Sequence, residues 1–132
     1  MKKKFKIVGI NNEKYESINP NIISSIVETC KDAFGDTMPQ EEVLRHLYPT
    51  NRLYLALNKK NKVVGFSTLI LGDDYIEMSG VAVRKDMQGS GLYSALSLAR
   101  INHGIDRGKN NVKFNTQNPF WYHENIFFIH YK

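Results

Sequence analysis

The chain has one cysteine, Cys30, among 132 residues. That excludes an internal disulfide and fits a reducing compartment, with no need for a reactive thiol. No apolar run approaches the roughly 20 residues that a helix needs to cross a bilayer. The start, Met1 to Ile10, has too short an apolar stretch for a secretory leader. These absences predict a cytoplasmic protein with no membrane partner. A strong excess of one charge is also missing: 18 Lys and Arg stand against 13 Asp and Glu, a net charge of +5. This balance favours an anionic ligand, but it is too modest and scattered to argue for nucleic acid. Neither Gly-x-Gly-x-x-Gly nor a Walker Gly-Lys-Ser/Thr occurs, so the common dinucleotide and P-loop fingerprints are absent. His123 and His130 stand alone, seven residues apart, and give no metal site.

What is present suits one compact domain over residues 1–132, with 42% hydrophobic residues to build its core. Phe5 to Ile10 alternates as a strand, ended by the turn signal Asn11 and Asn12. Asn19 before Pro20 predicts a helix N-cap, and Ile22, Ile23, Ile26, Val27, Cys30 and Phe34 follow at helical spacing up to Gly35. A shorter helix is predicted from Pro39 to Tyr48, with acidic residues in its first turn and Pro49 blocking its continuation. Leu53, Leu55 and Leu57 then alternate with Tyr54 and Ala56. A turn at Asn58 to Asn61 leads into a long strand from Val63 to Leu71, giving an antiparallel hairpin.

The next strand, Tyr75 to Val83, breaks its own pattern. Ile76 and Met78 are even-numbered whereas Val81 and Val83 are odd, which an unbroken side-chain period of two does not allow. A β-bulge near Ser79 to Val81 repairs the parity, with Gly80 absorbing the unusual backbone geometry and the strand splaying from its next neighbour. After Val83 the sequence runs through Gln88, Gly89, Ser90 and Gly91 into a helix with Leu92, Ala95, Leu96 and Ala99 on one face, stopped by Gly108. Glycines around Ser90 let backbone N–H groups face an anion, and the first helical turn adds its own unpaired donors. Taken alone, such a turn is equally well read as a plain tight turn into a helix. Val112 to Thr116 forms the next strand, parallel to the bulged one because a helix lies between them.

The order of strand, two helices, hairpin, bulged strand, glycine turn, helix and strand resembles the GCN5-related N-acetyltransferases, the GNAT superfamily. The residues Gln88 to Tyr93 resemble the family's Q/R-x-x-G-x-G/A acetyl-CoA motif, with Tyr93 where the family has Gly or Ala. The similarity covers about residues 5 to 118. It implies an α/β fold with a central, mostly antiparallel mixed sheet flanked by helices. It further implies that the backbone of Val81, Ala82 and Val83 pairs with the pantetheine amides of acetyl-CoA. The N–H groups of Gln88, Gly89, Ser90, Gly91, Leu92 and Tyr93 would hold the pyrophosphate, and Asn118 would contact the pantetheine arm.

The chemistry so implied is direct transfer of an acetyl group from the thioester to a primary amine, on a small molecule or a peptide. It needs a base for the ammonium, a donor for the developing oxyanion and an acid for the leaving thiolate. A backbone N–H near Val81 suits the oxyanion. Glu77, five residues before Ala82, is the candidate base; an ordinary solvent-facing strand carboxylate and a water-relayed base remain open beside it. Tyr122 is the nearest candidate acid, with a spacing shorter than the family's and packing as its other reading. Glu28, Asp32, Asp36, Glu41 and Glu42 offer charges to a cationic amine, although helix charges are ordinarily a solvated face.

Only 14 residues follow Asn118, so the family's final helix and strand pair do not fit. The C-terminal hairpin is therefore expected to be truncated or replaced. The tail, residues 119–132, is rich in large aromatics that would form an apolar patch if exposed. A homodimer in which the tail completes a neighbour's sheet or pocket is one expectation. A domain that holds acetyl-CoA without turnover, as a sensor, is the alternative to an enzyme.

Overall fold

The computed structural model describes residues 5–11, 19–35, 39–47, 52–115 and 126–130. Its centre is a six-stranded sheet: β1 (Lys6–Asn11), β2 (Arg52–Leu57), β3 (Val63–Leu71), β4 (Tyr75–Val83), β5 (Asn111–Asn115) and β6 (Ile126–His130), adjacent in chain order. All neighbouring pairs are antiparallel except β4 and β5, which are parallel. The parallel joint falls where a helix, α3 (Leu92–Asp106), carries the chain across the sheet. The tight turn between β2 and β3 is closed by Asn58, whose Oδ1 accepts from the N–H groups of Lys60 and Lys62 at 2.9 and 3.0 Å.

Helices cover both faces. α1 (Pro20–Phe34) starts as expected at Asn19, whose side chain accepts from the Asn21 N–H at 2.8 Å with Pro20 in the first turn. α2 (Gln40–Leu47) carries Glu41 and Glu42 in its first turn. Ile26, Val27 and Cys30 of α1 and Val43 and Leu47 of α2 pack on Leu53, Leu55, Phe66 and Ala82. On the other face, Leu92 and Leu96 of α3 pack on Tyr54, Ala56, Leu69, Ile76, Met78, Val83 and Val112. Alternate residues of β2 thus serve opposite cores, as a period of two requires. Full burial of a side chain such as Leu96, 0% exposed, contributes about 1.5–3 kcal/mol. No helix among the described residues is long and apolar enough to cross a membrane.

Three details differ from the sequence reading. The bulge lies where parity places it, but Gly80 is not among the glycines with positive φ, so left-handed backbone is not what it supplies. α2 ends at Leu47; Tyr48 lies outside the described residues. Part of the aromatic tail, expected to seek a neighbour's sheet, forms β6 on the chain's own sheet, from Asn111 opposite His130 to Asn115 opposite Ile126.

Candidate functional site

In the β3–β4 pair, Leu69 faces Met78 and Ser67 faces Val81, so Thr68 alone opposes both Ser79 and Gly80. The extra residue disturbs the regular ladder, and side chains supply replacement partners. Thr68 Oγ1 accepts the Gly80 N–H at 2.7 Å and lies 2.7 Å from Ser79 Oγ. Arg100 of α3 reaches the bulge from the opposite core, its Nη1 donating to the carbonyls of Thr68 and Gly80 at 3.4 Å each. The bulge resets the strand's faces. Ile76 and Met78 precede it and Val83 follows it, yet all three belong to the α3-side core, while Ala82 joins the α1–α2 side.

The same irregularity opens the sheet. The parallel β4–β5 ladder runs from Tyr75 opposite Asn111 to Met78 opposite Phe114, with no later pair among the described residues. Among the described residues, 79–83 of β4 therefore have no β5 partner, which leaves backbone groups on that side to a ligand. Val81, Ala82 and Val83 are all in this stretch.

Beyond β4 the chain makes a short 3₁₀ turn, Lys85–Met87, before α3. Gly89 and Gly91 have φ of +82° and +88°, a region costly for residues with a Cβ. No heavy atom lies within 4 Å of where a Cβ would stand on either, so the turn is open on that side. The Gln88 N–H donates to the Lys85 carbonyl, Ser90 N–H to the Met87 carbonyl and Leu92 N–H to Ser90 Oγ. The N–H groups of Gly89, Gly91, Tyr93 and Ser94 have no acceptor among the described residues. Four donors within six residues, at the positive end of a 15-residue helix, make a fitting cradle for a pyrophosphate. Tyr93 is 57% exposed, so its bulk is outside the core.

Asp32 of α1 anchors the start of this turn. Its Oδ2 accepts the Lys85 N–H at 2.7 Å and its Oδ1 lies 3.6 Å from the Arg84 guanidinium. This carboxylate, read from sequence among the helix charges, thus ties α1 to the end of β4. Glu77 is on β4 beside Lys113 of β5, with Oε1 3.3 Å from Nζ, and its side chain is 14% exposed. Tyr122 and Asn118 lie outside the described residues. Cys30 is buried, and burial pushes its thiol up to about 12, which makes it a poor nucleophile.

Arg100 and Thr68 escaped the sequence reading. Arg100 is four residues beyond Leu96 and eight beyond Leu92, in the stripe of α3 that the structure buries. A cation continuing an apolar stripe is the signal that could have found it. Thr68 had no comparable signal, because its partner lies across a turn and a shifted register.

The sequence profile of the acetyltransferase (GNAT) family matches residues 20–122. A comparison with the curated proteins gave no match. Among solved structures, the glucosamine N-acetyltransferase region of a fungal multi-domain GH3 β-N-acetylglucosaminidase superposes with a TM-score of 0.70 at 17% identity, over 90% of this chain. This chain spans only 14% of that enzyme's length. A GNAT acetyltransferase from Elizabethkingia anophelis, solved with acetyl-CoA bound, gives 0.62 at 19% identity, over 93% of this chain and 75% of that one. One from Brucella melitensis, also in complex with acetyl-CoA, gives 0.66 at 12% identity, over 96% and 89%. At such identities the superpositions speak for the fold alone. The family profile, however, begins at the first residue of α1 and runs past the end of β5, taking in the bulge, the splay and the glycine turn; the chain belongs to the GNAT acetyltransferase family.

Proposed function

We propose that the chain is an acetyl-CoA-dependent N-acetyltransferase that transfers the acetyl group to a primary amine by direct attack on the thioester. One observation carries this reading. β4 leaves β5 after Met78, at its bulge, and then leads into a turn with unpaired N–H groups at Gly89, Gly91, Tyr93 and Ser94. An extended ligand with amides at one end and a pyrophosphate at the other matches that sequence of donors.

In this reading the backbone of Val81, Ala82 and Val83 binds the pantetheine amides as a strand would. The free N–H groups of the turn hold the pyrophosphate. A backbone N–H near Val81 stabilises the oxygen that gains charge when the amine attacks the carbonyl carbon, and the carbon–sulfur bond then breaks. Glu77 takes the proton from the ammonium, directly or through water. Tyr122, outside the described residues, is the proposed donor to the leaving thiolate, and Asn118 the proposed contact to the pantetheine arm.

Coenzyme A release in the presence of a panel of primary amines, followed with a thiol reagent, tests the proposal. Release with at least one amine supports it. Acetyl-CoA binding measured by calorimetry, with no release across the panel, favours a non-catalytic acetyl-CoA sensor instead. That second reading draws on the Lys113 ammonium, which already engages the Glu77 carboxylate at 3.3 Å.

A homodimer through the tail is the proposed partner arrangement. β6 is at the sheet's edge, and Ile126, Phe127, Phe128 and Ile129 put apolar residues at both parities of the strand. Edge strands of this composition favour pairing with another chain. Light scattering at micromolar concentration should give a dimer mass; a monomer mass would refute the arrangement.

A further inference from the structure

Arg100 is 1% exposed, and its guanidinium meets carbonyls and a hydroxyl rather than a carboxylate among the described residues. It donates at 3.4 Å to the Thr68 and Gly80 carbonyls and at 3.3 Å to Ser97 Oγ, while Nε has no partner among the described residues. Burial draws its pKa down to about 10, against the partial opposition of Tyr93 and Tyr54. A buried cation held by three long bonds is a costly residue for a position where Leu92 and Leu96 set an apolar pattern. Packing alone would be better served by Leu or Met.

Its three acceptors suggest why it is there. Two are main-chain carbonyls on the two sides of the bulge, and the third is one helical turn back on α3. The guanidinium is planar and rigid, so engaging all three fixes the helix relative to both strands. On the opposite side of the sheet, Thr68 Oγ1 holds the Gly80 N–H. Gly80 is thereby gripped by its N–H from one face and its carbonyl from the other. The peptide unit that begins with the Gly80 carbonyl ends with the Val81 N–H, and because a peptide is planar, orienting one end orients the other.

We propose that Arg100 is a positioning residue that fixes the Gly80–Val81 peptide, and through it the backbone N–H offered to the acyl carbonyl. Its consequence for catalysis rests on the acetyl-CoA reading above, whereas its hold on the bulge does not. The test uses the full chain with R100M and R100K, acetyl-CoA and free coenzyme A as probes, and amide hydrogen exchange at residues 80–83. In R100M, exchange at Gly80, whose N–H is held by Thr68 Oγ1, should accelerate at least about tenfold, as expected when the bulge loses a charge-assisted contact. Acetyl-CoA affinity should fall about tenfold or more, and coenzyme A affinity less than about threefold, because the turn is untouched. R100K should fall between R100M and wild type. Unchanged exchange with an unchanged acetyl-CoA to coenzyme A ratio in R100M overturns the proposal, as does an equal loss for both ligands. If R100M does not fold, an R100K variant that matches wild type in exchange and in that ratio overturns it. If wild type binds neither ligand, the acetyl-CoA reading fails, and the exchange measurement still decides whether Arg100 holds the bulge.

Discussion

Lys113 Nζ lies 3.3 Å from Glu77 Oε1, between directly opposed positions of the sheet's parallel strand pair. The carboxylate proposed as the base therefore also links two strands whose pairing ends at the next residue, Met78. E77Q removes both functions, whereas K113M removes only the link. With an amine substrate in hand, E77Q should lower kcat by about a hundredfold or more, the usual contribution of a positioned base. K113M should retain most of the activity; equal losses in the two variants would assign Glu77 to the strand link alone.

Gly89→Ala and Gly91→Ala place a Cβ in a φ region near +85°, with open space around it. The penalty is conformational rather than steric, about 1 kcal/mol for each substitution. Denaturant unfolding should show that loss. Calorimetry should also show weaker coenzyme A binding, because relaxing the strained φ reorients the Gly89 and Gly91 N–H groups. Wild-type affinity in both variants would remove the turn from the binding site.

Thr68→Val keeps the shape of the side chain and deletes the acceptor of the Gly80 N–H. An unsatisfied buried donor costs about 1–3 kcal/mol, so urea unfolding should report a loss in that range. Thr68→Ser should restore most of it. If the valine variant is as stable as wild type, the bulge does not depend on this hydroxyl.

His103 titrates below its usual 6.5, first because of burial and then because of Arg52 and Arg107, with Asp106 in partial opposition. A histidine whose folded pKa is depressed takes up its proton more readily in the unfolded chain. Its effect is thus absent well above pH 6.5, and stability is lost as pH falls from about 6.5 through the folded value. H103Q should flatten that region of the stability–pH curve. An identical slope in both proteins would show that other groups set it.

Much of this site was legible because it is built from local pattern. The parity change between Met78 and Val81 marked the bulge, and Gly89 and Gly91 marked the turn, since each is a rule about residues close in sequence. Asn19 and Pro20 gave the start of α1 for the same reason. The pairs that act over distance were not legible. Thr68 meets Gly80 only after the β3–β4 register has shifted, Arg100 meets Thr68 only once α3 is docked, and Lys113 reaches Glu77 only after the crossover returns. Asp32 looked like an ordinary helix charge because Lys85, which it anchors, is 53 residues further on. The tail's partner was equally hidden, since strand composition does not say whose edge a strand will join.

The bulge also has a consequence for inheritance. Deleting the single codon for Gly80 would leave Thr68 opposite Ser79 alone, and β4 able to pair regularly with β3. Val81, Ala82 and Val83 would keep their places opposite Ser67, Phe66 and Gly65, so each core would keep its own residues. A local improvement in pairing would thus cost the two cores nothing, and the loss would fall on the site, because the Thr68 and Arg100 contacts to Gly80 would go with the residue. The hydrophobic residues on both sides do not hold the irregularity in place, so a lineage keeps it only while the site is under selection.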